Sequence, residues 1–173
     1  GPRLRLDGQA VHHHTGLSAF TEYALVSEKS LVKIPADLPF VEASLFGCAV
    51  MCGAGTALYS AGIRPGQTVA VFGLGGVGLA AVLGAVTAGA GRIIAVDPSE
   101  AKLALARSIG ASDCVNPGSA NAAEMVRDLT QGGVDHAIDA SSSLDGFGNA
   151  FESTRRGGCT VTTSLTHPSQ KFS

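Results

Sequence analysis

The first group of residues whose types and spacing could do chemistry is a glycine-rich stretch. In VAVFGLGGVG, Gly73, Gly75 and Gly78 have the spacing G-x-G-x-x-G. In a dinucleotide-binding loop the first glycine permits a tight turn, the second lets backbone amides approach a pyrophosphate, and the third lets a helix pack closely against its strand. Asp97 follows Gly78 by 19 residues, where a carboxylate can accept hydrogen bonds from an adenosine ribose.

A carboxylate at Asp97 also predicts which dinucleotide binds, because its charge would repel a phosphate on the ribose 2′ position. The sequence therefore favours NAD over NADP. Two alternatives remain open. Asp97-Pro98-Ser99 is also a favourable turn before a helix, and nucleotide-binding methyltransferases can share a glycine turn and a carboxylate after the second strand.

The second group is the apolar stretch LFGCAVMCG, in which Cys48 and Cys52 are four residues apart. The two cysteines could belong to a metal site, form a redox pair or fill a core. Side chains at this helical spacing are often too far apart for an unstrained disulfide. With four cysteines and no apolar leader, the chain is expected in a reducing cytoplasm. Cys114 and Cys159, in predicted strands, are interpreted as small buried side chains.

The three consecutive histidines His12, His13 and His14 also suggest a metal site. Adjacent residues of a strand point to opposite faces, so at most His12 and His14 share a face. No cysteine or acidic residue lies close by, and we therefore assign them to a polar loop.

The elements that must position these residues follow from the pattern after Thr68, where short β-branched runs alternate with alanine-rich helical stretches. The predicted strands are TVAVF, RIIAV, DCV, VDHAIDA and CTVTTSL. Continuous apolar strands separated by helices predict a parallel sheet covered on both faces, that is, a doubly wound α/β fold. Ser99 is predicted to cap one helix and Asn121 to begin a capping box at another, and Gly110 is placed where a left-handed residue ends a helix.

Residues 1 to about 45 have a different character. LRL, FTEYALV and SLVKI are predicted as short strands with no long helix between them, which indicates the β-rich tail of another domain. Pro39 then opens a helical stretch toward Cys48.

Composition excludes two classes of partner. Charged residues make up 15% of the chain and the net charge is −2, so no basic face is available for nucleic acid. Val69 to Gly91 carries no charge for 23 residues, a length that can cross a bilayer. Its clustered glycines favour a strand, a turn and a buried helix, and no membrane partner is expected.

The blocks FTEYALVSEKSLVKIP, LFGCAV, GIRPGQTVAVFGLGGVGLAAV, RIIAVD and GGVDHAIDA occur in this order. On these blocks the chain resembles the zinc-containing alcohol dehydrogenases of the medium-chain dehydrogenase/reductase family. Such enzymes join a GroES-like catalytic domain to a Rossmann domain. The resemblance implies that residues 1–49 are the end of the first and residues 50–173 most of the second, truncated at its C-terminal end.

The resemblance also implies the cofactors, NAD and a catalytic zinc. Cys48 matches the third protein ligand of that zinc, while the other two ligands and any structural zinc would lie upstream of Gly1. Cys52 stands where relatives commonly have threonine beside the nicotinamide, and Ser164 where they commonly have glycine. Lys102 would contact the adenosine ribose, although a solvated helix lysine is the alternative. The predicted cofactor-binding residues are Cys52, Gly73, Leu74, Gly75, Gly76, Val77, Gly78, Asp97, Lys102, Ala140, Ser141, Thr163, Ser164 and Leu165.

The implied function is that of an NAD-dependent oxidoreductase, which oxidises alcohols to aldehydes or ketones by hydride transfer. No complete catalytic set lies in this chain, so the fragment alone is expected to be inactive. A non-catalytic nucleotide-binding module and a zinc-free enzyme similar to quinone reductases are the alternatives, the latter disfavoured by Cys48. The full-length protein is expected to be a cytoplasmic homodimer or homotetramer. The strands of its dimer interface would follow Ser173, which leaves the fragment's own oligomeric state open.

Overall fold

The structure, a computed structural model, describes residues 4–12, 20–118 and 120–164. The chain divides into two compact units, Gly1–Pro39 and Phe40–Ser173. This division falls ten residues before the predicted domain boundary at residues 49/50, which lies inside a helix. The two-domain assignment itself stays a prediction.

The described residues of the first unit form one hairpin. β1 (Leu4–Leu6) pairs antiparallel with β2 (Gln9–Val11), and a 3-10 turn follows at Glu28–Ser30. Asp7 and Gly8 make the hairpin turn with positive φ values of 49° and 79°, as tight hairpin turns require. None of the described residues of this unit is buried.

Two of the three strands predicted in this unit are wrong in the structure. LRL forms β1, but FTEYALV and SLVKI contain no strand residues. Their residue types favour strands, yet a strand also needs a neighbour to accept and donate its backbone hydrogen bonds. The described residues provide no such neighbour, and neither segment forms a strand.

A continuous helix of 21 residues, Phe40–Ser60, opens the second unit. It consists of α1 (Phe40–Leu45), a π-helical segment (Phe46–Val50), α2 (Met51–Gly55) and a second π-helical segment (Thr56–Ser60). The helical stretch predicted from Pro39 is thus confirmed. By length and composition alone this helix is apolar enough to cross a membrane, as core helices of soluble proteins also can be.

The second unit is built on five parallel strands. These are β3 (Thr68–Phe72), β4 (Arg92–Val96), β5 (Asp113–Val115), β6 (Val134–Asp139) and β7 (Thr154–Thr162). The connecting helices are α3 (Gly76–Thr87), α4 (Glu100–Ser108), α5 (Ala122–Thr130) and α6 (Leu144–Ser153). The spatial order is β5-β4-β3-β6-β7, which is the order of the first five strands of a Rossmann fold. The predicted doubly wound fold is confirmed.

The sheet is buried on both faces, as β3 at its centre shows. Val69 and Val71 pack in one hydrophobic cluster, whereas Ala70 and Phe72 pack in the other. Successive residues of a strand point to opposite faces, so helices must cover both sides. Val69–Gly91, uncharged throughout, is therefore strand, loop and core helix, as predicted.

Helix termini agree with the sequence in part. The Asn121 side chain caps α5 by accepting the N–H groups of Ala123 and Glu124, as predicted, and Gly110 has a positive φ of 115° after α4. Ser99 is at the N-cap of α4, but its side chain makes no capping bond. Cys114 and Cys159 are half-buried in β5 and β7, less covered than predicted.

The parallel register brings the carboxyl ends of the strands to one edge. Phe72 of β3 is level with Val96 of β4 and with Asp139 of β6, and Asp139 is level with Thr162 of β7. The loops after β3, β4, β6 and β7 therefore meet at this edge.

Candidate dinucleotide-binding site

The candidate site lies between β3 and β6, where the order in which the strands are added to the sheet reverses. β3 continues through α3 to β4 on one side, and β6 continues through α6 to β7 on the other. Ligands of open α/β sheets bind in the crevice at such a point, outside the carboxyl ends of the strands. Here the two loops meet directly: the Ala140 N–H donates to the Phe72 carbonyl at 2.8 Å, and the Gly73 N–H donates to the Val96 carbonyl at 2.9 Å.

Two glycines of the loop after β3 have no room for a side chain. Gly73 has φ of +85°, and a Cβ there would lie 2.6 Å from the Cα of Ser141. A Cβ on Gly78 would overlap the carbonyl oxygen of Gly73. Both obstacles are backbone, which cannot move aside as a flexible side chain can. Gly75, by contrast, is exposed, and nothing lies within 4 Å of an added Cβ.

The amino end of α3 opens onto that free space. The helix begins at Gly76, and Gly75 at its N-cap provides no side-chain capping bond. The first N–H groups of a helix have no partner within the helix, and the helix dipole places partial positive charge there. Backbone amides at Gly76 and Val77 can therefore bind an anion such as a pyrophosphate.

Asp97 holds the loop from the side of β4. This side chain is 4% exposed, and its Oδ2 accepts the Leu74 N–H at 2.8 Å and the Lys102 ammonium at 3.3 Å. Its Oδ1 accepts the Ser99 N–H at 2.9 Å. A carboxylate has about four acceptor positions. Three donors use them in this structure, and capacity for a ligand hydroxyl remains.

Ser99 and Lys102 both contact the Asp97 carboxylate. Ser99 follows Asp97 by two residues, and its N–H turns back to the carboxylate. Lys102, one turn into α4, reaches the same carboxylate with a half-exposed side chain. The structure thus brings Asp97, Lys102 and the glycine loop together.

Except for Cys52, which lies in α2, the residues predicted on the nicotinamide side come after β6 and β7. Thr163 donates both its N–H and its hydroxyl to the Asp139 carbonyl, at 2.8 and 3.1 Å. The Ser164 hydroxyl accepts the Ser142 N–H at 2.9 Å. The structure therefore brings Ala140, Ser141, Thr163 and Ser164 to one place. Leu165 lies outside the described residues, as do His13 and His14.

Sequence reasoning missed Asp139, the last residue of β6. Its side chain is fully buried and accepts hydrogen bonds from Ser141 and Thr162. One signal was available: an acidic residue ends an otherwise apolar stretch, Ala137-Ile138-Asp139, at the edge where ligands bind.

The helix that carries the two cysteines passes the amino end of α3. A Cβ on Gly53 would overlap the Val77 carbonyl oxygen, and one on Gly76 would lie 3.2 Å from the Ala49 Cβ. Cys48 and Cys52 are neighbours of Ala49 and Gly53 in sequence, and both are exposed free thiols.

The described residues do not complete a zinc site. No group of three or more histidine, cysteine, aspartate or glutamate residues among them is arranged to hold a metal ion. Zinc in proteins takes three or four protein ligands, so Cys48 stays a predicted single ligand. His12, also exposed, follows β2 outside a strand.

Charged side chains at the opposite edge of the sheet form ion pairs and hydrogen bonds that join neighbouring strands. Asp135 accepts the Thr68 N–H at 2.8 Å and pairs with Arg155, and the Thr68 bond is the main cause of its lowered pKa. Asp113 forms a two-pronged pair with Arg92, whose hydrogen bonds lower the Asp113 pKa. Burial lowers the pKa of His136.

A separate cavity of about 630 Å³ runs along β7 and α6 and contains none of the predicted site residues. Its lining includes Phe147, Phe151 and Arg156. The backbone amides and the buried carboxylate that can bind a dinucleotide lie elsewhere.

Comparison with known proteins agrees with this geometry. Residues 76–173 match the model of the zinc-binding dehydrogenase family, which is more than half of the chain. The chain is 44% identical over 145 residues to alcohol dehydrogenase class-2 isozyme 2 of Oryctolagus cuniculus, covering 83% of this chain and 38% of that relative. It is 41% identical over 157 residues to S-(hydroxymethyl)glutathione dehydrogenase of a Synechocystis strain, covering 90% and 42%.

Two solved structures are similar. An alcohol dehydrogenase zinc-binding domain protein from Burkholderia ambifaria has a TM-score of 0.86 at 32% identity, covering 91% of this chain and 42% of that one. Benzyl alcohol dehydrogenase from Acinetobacter calcoaceticus has a TM-score of 0.86 at 29% identity, covering 91% and 43%. The chain thus spans well under half the length of these relatives. It belongs to the zinc-binding dehydrogenase family.

Proposed function

We propose that this chain is the NAD(H)-binding part of a zinc-dependent alcohol dehydrogenase, which oxidises alcohols to aldehydes or ketones by hydride transfer to NAD. One observation carries the proposal: the buried Asp97 carboxylate holds the Leu74 amide beside the uncapped amino end of α3. An anion site and a hydroxyl acceptor are then adjacent, as a dinucleotide requires.

Each part of the cofactor has its own residues in this proposal. The pyrophosphate would be bound by the amides of Gly75, Gly76 and Val77, while Gly73 and Gly78 keep the loop close to its helix. Asp97 and Lys102 would contact the adenosine ribose. The nicotinamide side would be formed by Cys52, Ala140, Ser141, Thr163, Ser164 and Leu165.

The structure fits NAD by two independent criteria. The space over Gly75 is open, whereas the positions of Gly73 and Gly78 are closed to any side chain. Asp97 keeps acceptor capacity after its three internal bonds. Its negative charge disfavours a 2′-phosphate, so NAD is proposed over NADP.

The zinc part of the proposal rests on Cys48 alone. Its thiolate would supply one ligand, with two further protein ligands expected outside residues 1–173. Bound zinc supplies Lewis acid polarisation of an alcohol oxygen. The described residues do not hold the ion by themselves, and the chain alone is expected to bind cofactor without completing the reaction.

The proposal extends to the domains, the substrate and the oligomeric state of the longer protein. Residues 1–49 would belong to a GroES-like catalytic domain and residues 50–173 to the Rossmann domain. The substrate would be a small alcohol or aldehyde, and the full-length enzyme a cytoplasmic homodimer or homotetramer.

Titration of the purified chain tests cofactor binding directly. We expect NADH fluorescence to report saturable binding, with NADPH at least tenfold weaker because of Asp97. A folded chain that binds neither cofactor would overturn the proposal. For a longer chain with the upstream residues, we expect NADH formation from primary alcohols that stops on zinc removal. Activity after complete zinc removal would overturn the zinc part.

A further inference from the structure

We infer that Asp139 is a positioning residue, whose buried carboxylate ties the ends of β6 and β7 together and so fixes the backbone facing the nicotinamide half of the dinucleotide. The inference rests on the proposed function. Asp139 belongs neither to the glycine motif nor to the carboxylate proposed for the ribose, so its role is additional to theirs.

The side chain of Asp139 is fully buried and is compensated by hydroxyl and amide donors. Its Oδ1 accepts the Ser141 hydroxyl at 2.6 Å and the Ser141 N–H at 3.0 Å, and its Oδ2 accepts the Thr162 hydroxyl at 2.8 Å. The ion pairs of the described residues leave Asp139 without a cation, since they involve Asp97, Asp113 and Asp135. A buried carboxylate without a cation requires such donors.

The carboxylate sets the direction of the surrounding hydrogen bonds. An ionised carboxylate only accepts, so the hydroxyls of Ser141 and Thr162 must both donate to it. Their lone pairs are then free to accept, and the Ser143 N–H approaches the Ser141 hydroxyl at 3.3 Å. The Ser164 N–H likewise donates to the Thr162 hydroxyl at 3.1 Å.

The network then returns from β7 to the loop after β6. The Ser164 hydroxyl accepts the Ser142 N–H at 2.9 Å. Ser142 has a φ of +59°, in the left-handed region that a residue other than glycine adopts only when its surroundings hold it. The chain of bonds from Asp139 through Thr162 and Ser164 supplies that restraint.

The same loop packs against the glycine turn. The Cα of Ser141 would lie 2.6 Å from a Cβ on Gly73, so the two loops are in close backbone contact. A shift of Ser141 therefore changes the space beside Gly73 on the nicotinamide side. Asp97 accepts the N–H of Leu74, next to Gly73, but it is also held by the Ser99 N–H and the Lys102 ammonium, so we expect the ribose carboxylate to shift less than Ser141.

A matched pair of variants at Thr162 tests the inference. Thr162→Val keeps the side-chain shape but removes the donor to Asp139, whereas Thr162→Ser keeps the hydroxyl. Thr162 is exposed at the end of β7, so the valine variant acts on the interior only through the lost hydrogen bond to the buried Asp139 carboxylate. Binding of NADH and of ADP-ribose, which lacks the nicotinamide, is measured by titration calorimetry of the full chain, with thermal unfolding alongside.

For Thr162→Val we expect NADH affinity to fall about tenfold and ADP-ribose affinity to change less than about twofold. Thr162→Ser should resemble the wild type with both ligands. Ser164→Ala, which cuts the link to Ser142, should shift affinity in the same direction by a smaller factor.

Three outcomes would overturn the inference: unchanged affinity of Thr162→Val for both ligands, equal loss of both, or loss of the fold in this variant. A wild-type chain that binds neither ligand would instead overturn the proposed function, and this inference with it. The ADP-ribose arm thus separates the two failures.

Discussion

The backbone N–H of Leu74 donates a 2.8 Å hydrogen bond to the carboxylate of Asp97, a residue 23 positions further along the chain. The bond joins the turn after β3 to the end of β4, and Lys102 approaches the same oxygen at 3.3 Å. One acidic side chain therefore both shapes the glycine loop and offers the acceptor that we propose for the ribose.

Replacing Asp97 by asparagine should weaken NADH binding about 10- to 100-fold. An amide nitrogen in place of one carboxylate oxygen loses hydrogen bonds to a charged group, each worth about 1.5–3 kcal/mol. Discrimination against NADPH should narrow at the same time, because the repelling charge is gone. Lys102→Gln is the control for general loss of charge. It should weaken NADH binding less than Asp97→Asn does, because the Lys102 side chain is half-exposed. Unaltered cofactor preference in Asp97→Asn would contradict the assignment.

Gly78→Ala should mainly lower stability, whereas Gly75→Ala should mainly weaken NADH binding. A methyl group on Gly78 overlaps the Gly73 carbonyl oxygen, so the free energy of unfolding should fall by about 1–3 kcal/mol. A methyl group on Gly75 meets nothing within 4 Å and should cost less than about 1 kcal/mol. The methyl group would nevertheless occupy the space proposed for the pyrophosphate, and it should therefore weaken NADH binding. Urea unfolding and NADH titration of both variants check this pattern, and a stable Gly78→Ala protein would argue against it.

The stability of the chain should fall as pH drops below 6.5 because of His136. Burial is the main cause of its lowered pKa, with Asp135 acting in the opposite direction, and the ordinary value is 6.5. Below 6.5 the unfolded chain takes up the proton first, so stability is complete above 6.5 and is lost as pH falls toward the folded pKa. The slope is at most about 1.4 kcal/mol per pH unit.

The control for this prediction is His136→Phe, which should remove the slope below pH 6.5. Asp135 does not interfere, because its pKa is lowered from 3.8 and its stabilisation is lost only at more acid pH. The measurement is urea unfolding between pH 5 and 8. A slope that persists in His136→Phe would assign the effect to another group.

Removal of metal should leave NADH binding by this chain unchanged within about twofold. The residues proposed for the cofactor include no group of three metal-binding side chains among those the structure describes. The measurement is NADH titration before and after treatment with a chelator, with Cys48→Ser as the matched variant. A large loss on chelation, retained in Cys48→Ser, would show that metal supports the cofactor site through other residues.

Local features of this protein were readable in the sequence because neighbouring residues decide them. The glycine spacing at Gly73, the alternation of strands and helices after Thr68 and the cap at Asn121 all depend on residues within a few positions. The sequence also placed Asp97 after the second parallel strand, where the structure has it.

Only the tertiary structure decided which distant groups meet. FTEYALV has strand composition but no described neighbour with which to pair, and the Ser99 side chain makes no capping bond although Ser99 stands at the N-cap of α4. Asp139 and Thr162 are 23 residues apart, and their contact depends on β6 and β7 lying in register. Spacing along the chain carries no information about such contacts, because strand order and register bring these side chains together.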